Sequence, residues 1–210
     1  MNKTKTKEIL TILKEIIPNP VCELNYSNPF ELLIATVLSQ QTKDQRVNEI
    51  TPLLFNKYPD PLALSKADIN DVEKIISPLG LAKMKAKNVI SLSYDLATKY
   101  NSTVPESIEE LIQLNGVGRK TASVLLVEAF KIPAVPVDTH VLRVSNRLGL
   151  SKSNDPIIVE NDLKKLIDIN EWIISHHLFI HFGRYHCLSK NPKCTECRLR
   201  KYCIYDKKKI

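Results

Sequence analysis

No run of apolar residues in this 210-residue chain approaches the roughly 20 needed to span a bilayer, which excludes a helical membrane span. No segment alternates apolar and polar residues with β-branched enrichment, and few dipeptides mark strand hairpins. That excludes a sheet as the organising element and leaves an all-α fold. There is no internal repeat, low-complexity block or linker, so solenoids and tethered modules are excluded as well. The N-terminal stretch passes into an amphipathic helix rather than a signal h-region, and nothing points outside the cytosol. Glycine is scarce, at five residues, so each placed glycine carries information. Acidic residues number 23 against 30 basic ones, a formal net charge of +7. That balance favours a polyanionic partner, although a merely basic soluble protein has the same composition.

Two of the five glycines stand one residue apart in Leu114-Asn115-Gly116-Val117-Gly118-Arg119-Lys120-Thr121-Ala122. Ser107 followed by Glu110 is a capping box, so a helix starts there and runs through Ile108, Leu111 and Ile112. A second apolar period restarts through Ala122, Val124, Leu125 and Ala129. The pattern predicts two helices joined by a tight hairpin across 108–127. Glycine alone lets the backbone take positive φ and lets another molecule approach without a Cβ in the way. Amides of the hairpin and of the next first turn lack helical partners, and the helix dipole adds partial positive charge. Arg119 adds a full charge. The stretch suits a phosphate; a helix corner with packing glycines is the bland alternative.

Lys120 falls in the first turn of the second helix, where the dipole disfavours an ammonium. Partial burial would push the same way, towards a neutral, nucleophilic amine. Eighteen residues on, Val137-Asp138-Thr139-His140-Val141 places a carboxylate ahead of another helix. Asp138 is then either a plain N-cap or a carboxylate available to the lysine.

Leu-x-Gly-Val-Gly-Arg-Lys-Thr-Ala followed by Val-Asp-Thr-His-Val resembles the helix-hairpin-helix DNA glycosylases, and within them the endonuclease III family. Asn28-Pro29-Phe30-Glu31-Leu32-Leu33 and four C-terminal cysteines extend the resemblance over nearly the whole chain. The family usually has proline where Asn115 stands; asparagine also tolerates turn geometry. The resemblance implies a bifunctional DNA glycosylase and AP lyase of base excision repair. Its partner would be double-stranded DNA with damaged bases or abasic sites, met by a monomer in the cytoplasm, at the nucleoid if the source is bacterial. Lys120 would attack C1′ of a flipped nucleotide, with Asp138 stabilising positive charge on the sugar. Oxidised pyrimidines would leave, and β-elimination would cut the strand 3′ to the lesion. Gly116, Gly118 and Arg119 would hold the DNA backbone, with His140 as a further DNA contact. Gln41 would fill the gap left by the extruded base, although the family commonly has alanine where Gln40 stands. Leu81 would wedge into the duplex.

Two rivals stand beside that reading. Adenine-mismatch glycosylases, a sibling type, use water attack and carry a non-lysine residue at the Lys120 position and a further C-terminal domain. The lysine disfavours them. A non-catalytic phosphate-binding module with a zinc loop is the rival of a different class.

Cys187, Cys194, Cys197 and Cys203 form Cys-x6-Cys-x2-Cys-x5-Cys, and Cys22 stands apart. Four thiols this close, with no secretory signal, argue for metal rather than disulfides. Zinc modules usually show two separated Cys-x2-Cys pairs, while all-thiolate ligation equally suits an iron–sulfur cluster. The resemblance implies a 4Fe–4S cluster, as endonuclease III members carry. Lys190, Lys193, Arg198, Arg200 and Lys201 lie between the ligands and either offset an anionic cluster or grip phosphate. His176, His177 and His181 have spacing that invites a metal, but no acidic or cysteine partner falls among them, and packing and surface positions are expected.

Elsewhere the period is helical. Ile9, Leu10, Leu13, Ile16 and Ile17 recur until Pro18 stops them. Asn28, Pro29 and Glu31 start a helix apolar nearly all round, ending in Ser39-Gln40-Gln41-Thr42 with Thr42 as a cap. Asp44 to Phe55 reads as a helix with Pro52 as a kink or early end. Gly80-Leu81 sits in a turn before Lys85, Ala86, Val89, Ile90 and Leu92 resume the period. Arg143 to Gly149 ends a helix at a C′ glycine. The resemblance further implies two helical domains. One is 22–132 with the hairpin; the other is 1–21 plus 133–210 with the cysteine loop 187–203. Lys120 and Asp138 would face each other across the cleft.

Overall fold

The computed structural model describes residues 2–205 of the chain. Among them every regular element is helical, and no helix is long and apolar enough to cross a membrane. Two compact units result, Cys22–Ile132 and Met1–Val21 with Pro133–Ile210. Helix α1 (Lys3–Ile16) opens the chain and belongs to the second of these.

In the 22–132 unit, α2 (Pro29–Leu38) is the buried centre: Phe30 and every residue from Leu32 to Leu38 are buried. Asn28 Oδ1 accepts from the Glu31 amide at 2.9 Å, and Glu31 Oε2 accepts from the Ser27 amide at 2.7 Å. Pro29 stands at the first helical position, where a missing N–H costs nothing. α3 (Asp44–Lys57) runs through Pro52 rather than ending early. Val47, Ile50, Thr51 and Leu54 are buried around the proline, and their packing offsets the roughly 3 kcal/mol that a mid-helix proline costs. α4 (Pro61–Ser65) and α5 (Ile69–Ile76) start on the caps Asp60 and Asp68, and both pack on α6 (Ala82–Lys99). α7 (Ile108–Leu111) is a single turn, and α8 (Arg119–Glu128) lies against α2.

In the other unit, α9 (Thr139–Arg147), α10 (Pro156–Leu166) and α11 (Trp172–Tyr185) join α1. Ile9, Leu10 and Leu13 share one core with Val141, Val144, Val159, Leu163, Leu178, Phe179 and Phe182. α9 ends as its sequence predicts, with Gly149 at φ +68° and Leu150 N donating to Ser145 O at 2.9 Å. Gly183 lets α11 approach α9 closely, because a Cβ there would stand 2.8 Å from His140 Cβ.

Candidate active site

The hairpin is built from local signals. Ser107 caps α7: its Oγ accepts from the Glu110 amide at 3.2 Å and donates to Glu110 Oε2 at 2.8 Å, so the Glu110 side chain binds the capping hydroxyl rather than the Ser107 amide of the expected capping box. Leu111, Leu114 and Val117 turn inward and anchor the loop. Gly116 takes φ +77°, and a Cβ on it would meet Asn88 Nδ2 at 2.9 Å. Its carbonyl accepts from Gln40 Nε2 at 2.8 Å, and Asn115 Nδ2 donates to Ser91 Oγ at 2.6 Å.

Of the two uses of glycine expected in the hairpin, positive φ belongs to Gly116 and open space in place of a Cβ belongs to Gly118. Gly118 sits at φ −91°, which any residue adopts, and a Cβ would meet nothing within 4 Å. The protein's own packing does not require glycine here. What it leaves is an α8 first turn with no side-chain cap. Arg119 and Lys120 are the first two residues of that turn, and both are exposed. Lys120 is therefore not partly buried, contrary to one of the two expected routes to its activation. Cys22 is a half-buried thiol pushed up to about 11, chiefly by burial and then by the Glu128 charge.

Gln41 and Leu81 lie in the same unit as the hairpin. Both are exposed, Leu81 by 51%, and both carry positive φ, 56° and 52°. Thr42 is not a helix cap. Ser39 is the C-cap of α2, and the Thr42 hydroxyl instead donates to Leu79 O at 2.6 Å. It also accepts from Lys85 Nζ at 2.7 Å.

Asp138 caps α9: its Oδ1 accepts from the amides of His140 and Val141, each at 2.8 Å. His140 Nδ1 lies 3.1 Å from Arg143 Nη2 and accepts from it. Burial pushes the His140 imidazole below its usual range, against the pull of the Asp138 carboxylate. Arg143 also donates to Cys187 O at 3.0 Å and to Gly183 O at 2.8 Å, fastening the cysteine loop to α9 and α11.

Cys187, Cys194, Cys197 and Cys203 line one small cavity, with Arg147 Nη1 donating to Cys187 Sγ at 3.4 Å. No three described His, Cys, Asp or Glu side chains converge as a single ion would need. Lys190, Lys193, Arg198, Arg200 and Lys201 are all exposed, and Arg198 pairs with Glu15. His176 Nδ1 donates to Pro136 O at 2.9 Å and His181 Nε2 to Val21 O at 2.8 Å. Both rings are thus engaged in fastening backbone.

Residues 34–168 match the HhH-GPD superfamily of base excision DNA repair proteins. Endonuclease III of Synechocystis sp. is 46% identical over 203 residues, covering 96% of this chain and 92% of that protein. Endonuclease III of Escherichia coli strain K12 is 41% identical over 208 residues, 99% of each chain. A solved structure of a trapped endonuclease III–DNA covalent intermediate is similar at a TM-score of 0.95 and 43% identity, covering 100% of this chain and 99% of that one. The chain belongs to the endonuclease III family. It is a DNA glycosylase and AP lyase of base excision repair.

The all-α, helix-hairpin-helix expectation holds for this endonuclease III family member. Gln41, Leu81, Gly116, Gly118, Arg119 and Lys120 fall in the 22–132 unit, while Asp138, His140 and the four cysteines fall in the other. Three residues escaped the sequence reading as contributors: Thr42, Lys85 and Arg143. Lys85 had a signal, since a lysine occupies an apolar-face position of α6. Arg143 had only its place in a helix rich in basic residues.

Proposed function

We propose that this chain removes oxidised pyrimidines from double-stranded DNA, with Lys120 as nucleophile and Asp138 as electrostatic partner. Lys120 Nζ forms a bond to C1′ as the N-glycosidic bond breaks, and the base departs with that electron pair and takes up a proton. Asp138 stabilises the positive charge that develops on the sugar. Ring opening gives a Schiff base between Nζ and C1′. Loss of a proton from C2′ then expels the 3′ phosphate by β-elimination, and water releases the lysine.

The observation that carries this reading is the uncapped first turn of α8, with Lys120 exposed in it beside the Gly116 turn. Open amides and the dipole suit the phosphate flanking an abasic sugar. Gly116, Gly118 and Arg119 hold that backbone, His140 adds a contact, and Gln41 and Leu81 occupy the space of the extruded base. The two compact units are read as two helical domains, 22–132 and 1–21 with 133–210, of a monomer working in the cytoplasm, at the nucleoid DNA if bacterial.

The cysteine loop is read as the holder of a 4Fe–4S cluster. Four thiolates lining one cavity are the ligand set an iron–sulfur cluster takes. Cys187, Cys194, Cys197 and Cys203 would hold it, and its ligation would order the loop rather than take part in base removal.

A panel of duplexes bearing single lesions tests the reading. Oxidised pyrimidines are expected to be excised and the strand cut, and Lys120→Gln to abolish both. Activity surviving in Lys120→Gln, or confined to adenine mismatches, would overturn it.

A further inference from the structure

Lys85 lies on the buried face of α6 and is 1% exposed, at a position where the helical period asks for an apolar side chain. No carboxylate among the described residues pairs with it. Its Nζ donates to Thr42 Oγ1 at 2.7 Å and to Leu79 O at 3.1 Å. Thr42 Oγ1 in turn donates to Leu79 O at 2.6 Å, which closes a three-membered knot. Burying a lysine among neutral oxygens is costly, and burial pushes its pKa down.

What the knot joins is informative. Thr42 follows Gln41, and Leu79 precedes Gly80 and Leu81. Gln41, Gly80 and Leu81 stand at φ +56°, +69° and +52°. For a side-chain-bearing residue this region costs about 1–2 kcal/mol, and it persists only when the surroundings over-determine it. The neighbouring Gln40 Nε2 bonds to Gly116 O at 2.8 Å, so the first turn is also fixed to the hairpin. Two exposed, strained side chains are thus fastened from beneath by one buried amine.

We propose that Lys85 is a positioning residue which, through Thr42 and Leu79, locks Gln41 and Leu81 into one preset pair that enters the duplex as a unit. This rests on reading Gln41 and Leu81 as the groups that replace an extruded base. Presetting the pair removes the ordering cost at the moment of insertion. An apolar residue of equal length would fill the volume but drop both bonds, leaving each turn to find its own conformation.

Lys85→Met keeps the length and removes the donor; Thr42→Val removes the shared hydroxyl. Two readouts separate insertion from chemistry. Borohydride trapping on a single-stranded abasic oligonucleotide reports Lys120 alone. Base removal from a lesion duplex, with a fluorescent adenine analogue opposite the lesion, reports insertion. Trapping is expected to match the unaltered chain in both variants. Base removal and the fluorescence rise are expected to fall together by about tenfold or more, as loss of a buried charge-assisted hydrogen bond would produce. The double variant should fall no further than the worse single one, because both cut the same knot. Unchanged duplex activity in either folded variant would overturn the proposal, and so would equal losses on single strand and duplex. Should Lys85→Met fail to fold, Thr42→Val alone decides. Absence of trapping by the unaltered chain would refute the lyase reading and the positioning role with it.

Discussion

The first turn of α9 is closed by the chain itself, whereas the first turn of α8 is not. At α9, Asp138 Oδ1 takes two amides at 2.8 Å each. At α8, Gly118 has no side chain to offer, and nothing stands where its Cβ would be. A good N-cap stabilises a helix by about 1 kcal/mol, so the open end forgoes a contribution the closed end keeps. On the proposed reading the anion at α9 is part of the protein, whereas at α8 it would arrive with the DNA at the turn that carries Lys120.

The comparison is broken most strongly at Asp138. Asparagine keeps a capping oxygen and loses the charge, so Asp138→Asn should slow base removal by about 100-fold. Its stability should stay within about 0.5 kcal/mol of the unaltered chain, while Asp138→Ala loses the cap and about 1 kcal/mol besides. Single-turnover rates and urea unfolding check the pair. Full activity in Asp138→Asn would reduce the residue to a cap. Next comes Gly183→Ala, which sets a Cβ 2.8 Å from that of His140, the residue whose amide Asp138 holds. A stability loss of about 1–3 kcal/mol is expected by thermal unfolding. The smallest effect copies α9 onto α8. Gly118→Asp should raise stability by a few tenths of a kcal/mol, as a cap replacing glycine does. It should weaken duplex binding about tenfold and flatten the salt dependence by about one counterion, as loss of one phosphate contact would. Tighter binding in that variant would show that no phosphate uses the open turn.

What was legible in the sequence was what is local. The Ser107 cap, the Gly116 turn, the Asp138 cap and the C′ glycine Gly149 each depend on neighbours within a few residues. Gln41 and Leu81 were legible only through resemblance, because their positive φ is imposed by bonds between segments some forty residues apart, Thr42 to Leu79 and Lys85. Thr42 read as a cap for the same reason: a hydroxyl near a helix end looks like a cap until a distant carbonyl claims it. Pro52 was expected to kink α3 or end it early; the helix does not end there, because burial of the surrounding side chains outweighs the local signal. Which of the two hairpin glycines takes positive φ was not legible: Gly118 has an ordinary φ, and its missing side chain leaves the end of α8 open. Exposure of Lys120 could not be read from its apolar neighbours, since those lie on the opposite face of α8.

The central claim is that one amine in the open turn of α8 forms the bond to the sugar. Peptide mapping of the borohydride-reduced adduct on an abasic duplex tests it most directly. The sugar is expected on Lys120, with Lys120→Gln yielding no adduct. A full-yield adduct on any other amine, whether Lys83, Lys131 or the N-terminus, would contradict it.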